Sequence, residues 1–283
     1  MTSTVMWRRL AGNAEAAGGL VLLSALFLLA FAGPHLTKWD YADVDYAAFS
    51  TPPSAGHWFG TTPDGRDVYA LTLRGMRRSL VIGLLVASIS TTAAAVAGTV
   101  AGFRGGWADR LLTGAADLLL VLPTFLVVAI VSPLFHGGSW PLVAAVLAGL
   151  LWMITARVVR GMTISLKERE YVLAARYMGV SPVVIIVRHI VPHVASLLIV
   201  DAAMSVSAGI VAETGLSCFG FGVQPPDSSL GTVIADGTAA AVSYPWMFWF
   251  AAGLLVLIVL AVNLVGDGLR DALDPGSAPR RGR

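Results

Sequence analysis

The sequence predicts an all-α polytopic membrane protein with six transmembrane helices. Three observations predict it. Hydrophobic residues make up 56% of the 283-residue chain and charged residues 13%, against about 25% charged in an ordinary soluble domain. Mean hydropathy is +0.76. The apolar residues gather into uncharged runs of the length a helix needs to cross a bilayer, about 20 residues. Helices are the sensible spanning form for runs of that size, because lipid offers no partner to an unpaired backbone group. This composition excludes a disordered chain, a disulfide scaffold and a nucleic-acid-binding domain. The single cysteine, Cys218, cannot form an internal disulfide.

The first run is Ala16–Thr37, with its apolar core at Leu20–Ala32. Arg8-Arg9 ahead of that core also follows the grammar of a cleaved signal peptide. The run is read as a retained span because the chain continues as a polytopic protein. The second run, Ser79–Phe103, lies between Arg78 and Arg104. A third uncharged stretch, Leu118–Ala156, is too long for one helix. It breaks at His136-Gly137-Gly138-Ser139 and gives two spans, Leu118–Phe135 and Trp140–Ala156. The fifth lies near Val194–Ala212 and carries one charge, Asp201. The sixth lies within Gly237–Gly266, and Trp246 and Trp249 at its start suit the interfacial belt.

Lys and Arg placement sets the orientation. With both termini cytoplasmic, fourteen of these residues fall on inner segments and five on outer ones. Residues 216–245 carry no Lys or Arg, which fits an outer loop and makes Ser229 an accessible outer position. Arg74, Arg77 and Arg78 stand outside, against the rule. Val68, Leu71, Gly75/Met76 and Leu80 repeat at helical spacing there, which predicts a short amphipathic helix on the membrane surface, its arginines toward headgroups. The organisation is then residues 1–50, a cytoplasmic segment and first span; 51–78, an extracytoplasmic loop and amphipathic helix; 79–266, the core transmembrane domain; and 267–283, a cytoplasmic tail.

Residues 157–192 form the one long cytoplasmic loop. Lys167-Glu168-Arg169-Glu170 opens a helix over Tyr171–Met178, Gly179 occupies the C-cap position, and Ser181 caps a second helix with Pro182 in its first turn. A solvated connector is the plain alternative; two helices around a Gly turn favour a docking platform.

Ala174-Ala175, three residues, Gly179, then Pro192 thirteen residues later resembles the "EAA" loop of permease subunits in ATP-binding-cassette importers. Glu170, Tyr171, Ala174, Ala175, Arg176, Gly179 and Ser181, followed by Arg188, His189 and Pro192, are similar to the C-type subunit of the dipeptide/oligopeptide permease family. Leu173 takes the slot of the name-giving Glu. Three more blocks agree in order: His57 through Val68, Glu213 through Pro226, and Asn263 through Pro275. The resemblance covers about residues 57–275. It implies a type I importer permease architecture. It also implies a second homologous permease subunit, two cytoplasmic ATP-binding subunits or domains, an extracytoplasmic substrate-binding protein, and membrane lipid around the spans. Glu170 to Gly179 becomes a coupling helix seated in an ATPase, with Arg176 placed to pair with an acidic residue there.

The residues themselves hold no energy-converting chemistry. A phosphate-binding loop needs Gly-Lys followed by Ser or Thr, and Lys38 and Lys167 follow Thr37 and Leu166. ATP and its magnesium are therefore expected on partner subunits, with no catalytic residue, cofactor or metal in this chain. The five histidines have no paired ligand spacing, and His189 and His193 are expected to be structural. Gly98-x-x-x-Gly102 permits a close helix contact or is simply part of an Ala-rich helix.

Asp201 is the costly residue, about 2.5–3.5 kcal/mol for a charge at mid-span. Glu213 lies roughly on the same side, three turns on. Together they fit a translocation path for a polar substrate, or alternatively hydrogen-bonded interhelical contacts. The rival function is an ion-coupled secondary transporter using Asp201 and Glu213. Such a protein would show internal repeats, and none is visible. The best reading is a non-catalytic importer permease, with di- or oligopeptides as the implied cargo.

Overall fold

The structure is a computed structural model and describes residues 13–134 and 140–273. The turn expected at His136–Ser139 and the tail from Asp274 lie outside the described residues, as do Arg8 and Arg9.

Asn13 caps α1 (Ala14–Ala32) by accepting from the Glu15 and Ala16 backbones, and a short 3-10 turn, Gly33–Leu36, follows. Asp67 caps α2, a 37-residue helix over Val68–Arg104. Residues 68–80 are therefore not a separate surface helix. Leu73, Met76 and Leu80 are fully buried, so the segment belongs to the core and runs on into the second span without a break.

The third span is bent. α3 (Gly106–Val121) and α4 (Thr124–Val131) meet at 87°. Pro123 has no N–H and holds Leu122 extended, so the helix cannot continue through it. α5 (Trp140–Leu151) and α6 (Met153–Lys167) meet at 42°. Next come α7 (Glu170–Tyr177) and α8 (Pro182–Ile185). A π turn over Ile186–Ile190 leads into α9 (Val191–Cys218). Pro192 cannot donate to residue 188, and the Val191 N–H reaches Ile186 instead, which widens that turn. α10 (Leu230–Ala240) and α11 (Trp246–Leu273) complete the described residues. Residues 267–273, expected as the start of a tail, are the last turns of α11.

Among the described residues, four helical stretches are long and apolar enough to cross a membrane, and up to six if each bent pair counts as one span. Among the described residues, the two larger apolar cores divide along α2. One joins Leu26 and Ala30 of α1, Leu73 and Met76 of α2, Ile210, Leu230 and Ile258. The other joins Ile82 and Val86 of α2 to Ala116, Val128, Leu147, Met153 and Leu216. Large apolar side chains also face outward, among them Val21, Leu28, Ile130 and Val256. A soluble protein does not tolerate so much exposed apolar surface; a bilayer covers it.

Candidate functional site

The loop after α6 is built as a braced arm. Val172 and Ala175 of α7 are buried against Ile185, with Phe103 and Val180 packed on them. Ala174, Arg176, Tyr177 and Met178 are exposed, Tyr177 at 88% and Met178 at 76%. The two alanines thus part company: Ala174 faces out, while Ala175 packs inward because α8 folds back beneath α7. Glu170 lies in the first turn of α7, where a carboxylate complements the helix dipole. Arg176 forms no ion pair among the described residues.

Gly179 ends the helix at φ +80°, with open space around its Cα. That conformation is the left-handed one, which side chains disfavour. Ser181 takes the N-cap position of α8 with extended backbone, but its hydroxyl makes no capping bond. Pro182 occupies the first turn as expected.

Tyr171 carries a contact that sequence reasoning missed. Its ring stacks on His193 at 5.6 Å and 20°, and its hydroxyl lies 3.4 Å from His193 Nε2. His193 Nδ1 donates to the His189 carbonyl, 2.7 Å away. The two histidines make structural contacts, and His193, the residue after Pro192, ties α7 to the first turn of α9. The signal was present as an aromatic residue on α7 and a pair of histidines four apart. Nothing local in the sequence joins them.

The arm is also sewn to α2. A Cβ on Gly98 would fall 2.6 Å from the Ala156 carbonyl oxygen, and one on Gly102 would fall 2.7 Å from Thr163 Cβ. The Gly98/Gly102 pair is therefore a close-packed seam with α6. Lys167 Nζ donates to the Gly102 carbonyl at 3.1 Å. On the other side of α6, Arg160 grips Asp109 of α3 through two bonds of 2.5 and 2.6 Å, and Arg157 pairs with Asp117.

The two acids of α9 do different things. Asp201 is partly exposed and accepts from Thr91 of α2 at 3.2 Å and Thr155 of α6 at 2.5 Å. It knots three helices at mid-span. Glu213 is fully enclosed. Its Oε1 accepts from Ser217 and from Ser229, both at 2.6 Å. Ser229 is not an accessible loop residue. It is buried, caps α10 in a reciprocal pair with Thr232, and its neighbour Leu230 donates to Ser79 of α2. Arg78 closes the same end by pairing with Asp227 at 2.6 Å. Glu213 thus latches the 216–230 connection onto α2 and α9.

A staple closes the segment before α2. His57 is buried between Asp67 at 2.8 Å and Asp45 at 3.3 Å, and Trp39 stacks on it. The same Asp67 caps α2 through Oδ1. Asp45 sits below the ordinary carboxylate range, chiefly because the Ala47 backbone N–H donates to it, then because of His57. The His57–Val68 motif is thus structural in this geometry.

Apolar helices of bilayer length, a rigid arm projecting from them and acids knotting the helices together define a polytopic membrane protein of the transport class. The chain belongs to the binding-protein-dependent transport system inner membrane component family, whose model matches residues 94–278. Residues 4–53 match the N-terminal TM domain of oligopeptide transport permease C. The chain is 54% identical over 279 residues to the oligopeptide transport system permease protein OppC of Mycobacterium tuberculosis strain H37Rv, covering 98% of this chain and 96% of that one. It is 35% identical over 278 residues to OppC of Bacillus subtilis, covering 96% and 90%. The chain is accordingly a multi-pass bacterial membrane protein and a permease subunit of an ATP-binding-cassette importer, not an ion-coupled secondary transporter.

Proposed function

We propose that this chain forms half of the translocation path for oligopeptides and is driven by ATP hydrolysed on partner subunits. The observation that carries it is the division of α7. One face, Val172 and Ala175, is held by the chain itself, and the other, Ala174, Tyr177 and Met178, is free beyond the spans. A helix so placed is a docking surface whose position is rigidly tied to the spans. Tyr177 and Met178 supply apolar contact area at the centre of such a surface, and Arg176 a peripheral charge.

In this reading α7 sits in a cytoplasmic ATPase, and a second permease chain supplies the other half of the path. An extracytoplasmic binding protein delivers peptide at the opposite end, where Glu213, Ser229 and Arg78 hold the 216–230 connection shut. Closure of the ATPases on ATP and magnesium displaces α7. The Gly98/Gly102 seam passes that displacement to α2, the Tyr171–His193 stack passes it to α9, and Asp201 keeps α2, α6 and α9 moving together. Asp201, partly exposed, is the acid of the pair that can meet a passing peptide; Glu213 acts from behind the wall.

The test is paired cysteines in a chain whose exposed Cys218 has been changed to Ala. Tyr177→Cys should cross-link to the ATPase subunit and react with an impermeant thiol reagent only after permeabilisation. Val242→Cys, 99% exposed at the other end, should react from outside in intact cells. The reverse labelling pattern, or no cross-link from Tyr177→Cys in an assembled complex, overturns the assignment.

A further inference from the structure

The cluster that broke the charge rule lines a cavity. Arg78 is consumed by Asp227, but Arg74 and Arg77 have no carboxylate partner among the described residues, and neither has Lys38. These three cations line a cavity of about 320 Å³ between the end of α1 and the start of α2, with Pro34, Trp39 and Tyr41 among its walls. Its size falls at the lower end of small-molecule sites, roughly 300–1,000 Å³. Asp40 is the one acid in the lining, and its Oδ1 is already engaged by the Tyr41 N–H at 2.7 Å. Three cations against one carboxylate leave the lining with a net positive charge, partly offset at Lys38 by the nearby Asp45.

Each cation is held by a ring rather than by an acid. The Arg74 guanidinium lies 4.3 Å from the Tyr41 ring centre, Arg77 lies 4.8 Å from Phe31, and the Lys38 ammonium lies 5.0 Å from Trp39. A guanidinium stacked on a ring keeps its N–H donors free in its own plane, the geometry that grips a phosphate through paired bonds. The rings fix the donors without neutralising them.

The place of the cavity identifies the anion. It lies at the C-terminal end of α1 and the first turns of α2, two stretches long and apolar enough to cross a membrane, and Trp39 and Tyr41 in its wall are residue types of the interfacial belt. Directly below it on α1, Phe31 and Leu28 are 41% and 68% exposed, an apolar track for acyl chains.

We propose that this cavity binds the phosphate of an anionic phospholipid, with its acyl chains lying along Phe31 and Leu28. The inference needs only that α1 and α2 span the bilayer; it stands apart from the cargo and from the docking of α7.

The experiment uses the assembled importer complex, purified in neutral detergent and delipidated. Native mass spectrometry then scores retention of added phosphatidylglycerol, phosphatidylcholine and inorganic phosphate. Phosphatidylglycerol should be retained preferentially. Arg74→Gln/Arg77→Gln should weaken its retention about 25-fold, at about fivefold per basic residue near a membrane surface, with phosphatidylcholine unchanged. Arg74→Lys/Arg77→Lys should keep most of it. If the double Gln variant fails to assemble, Lys38→Gln should show the single fivefold step in an intact complex. Equal retention of the two lipids overturns the proposal, and so does a double variant that binds phosphatidylglycerol as well as the parent. Full displacement of the lipid by inorganic phosphate would mark a small-anion site instead. High-yield cross-linking of Leu36→Cys to the second permease chain, without lipid adducts, would mean that protein covers the cavity.

Discussion

The ammonium of Lys167 donates to the backbone carbonyl of Gly102 at 3.1 Å. The last residue of α6 is thereby fastened to the last turn of α2, one residue before Phe103 packs under the α7 arm. The join between the arm and the longest span is made of backbone approach and one long side chain, so it is sensitive to single methyl groups.

Gly102→Ala places a carbon 2.7 Å from Thr163 Cβ and 2.8 Å from the Arg160 carbonyl. Overpacking of this kind costs about 1–3 kcal/mol. The purified complex should unfold at lower temperature, and uptake per assembled complex should fall. Gly114→Ala, whose added carbon meets nothing within 4 Å, is the control and should leave both measurements unchanged.

Gly179 separates backbone conformation from crowding. A side chain there touches nothing, but φ is +80°, which costs an ordinary L-residue about 1–2 kcal/mol. A complex carrying Gly179→Val should hydrolyse ATP on its ATPase subunits without matching uptake, because the turn that aims α7 is lost. Gly179→Asn, which tolerates that conformation, should couple nearly as the parent does. Measuring uptake per ATP hydrolysed decides it; identical ratios in all three proteins would falsify the role given to this turn.

At Asp201 the contacts predict a split between charge and assembly. Asp201→Asn keeps an acceptor for Thr91 or Thr155, so the complex should assemble, with weaker uptake of cationic peptides than of neutral ones. Asp201→Leu leaves both hydroxyls without their acceptor and should reduce assembled complex by an unfolding cost of about 1–3 kcal/mol. Uptake per complex, compared across peptides of different charge, reads the first effect, and yield of the purified complex reads the second.

Acid should loosen the segment before α2. The Asp45 carboxyl is held below its ordinary value, so folding gains from its ionised form above the unfolded pKa. That gain is lost as pH falls through the lower folded value. Protection of the Ala47 and His57 amides, measured against their intrinsic exchange rates, should therefore fall as pH drops below about 4. In Asp45→Asn the same amides should be weakly protected already at neutral pH, with little further loss.

Much of this was legible in the chain. Charge-free runs located the spans, because a bilayer reads hydropathy almost directly. The Gly179 turn and Pro182 were legible because both are local backbone chemistry. Pro123 was a readable signal, yet Leu118–Phe135 still looked like one straight span, since hydropathy records how apolar a run is and not which way it points. The merger of residues 68–80 with the second span was hidden for the opposite reason. An amphipathic pattern looks the same whether its apolar side meets lipid or, as at Leu73 and Met76, other helices. Ser229 and the Tyr171–His193 stack depend on partners far away in sequence, and no local pattern records them.

The length of α2 has a mechanical consequence. At 37 residues it is about 55 Å long, nearly twice the roughly 30 Å hydrocarbon core. It can therefore work as a lever that overhangs the bilayer it pivots in. A tilt of only about 5° swings one tip about 5 Å relative to the other. Force applied at the Gly98/Gly102 grip is exchanged for travel at the far tip, where Gly75 lies against the Ser229 backbone and Arg78 holds Asp227. A slip at the grip would loosen the lever at its held end, which makes the close packing of two glycines a condition for moving contacts about six or seven turns away.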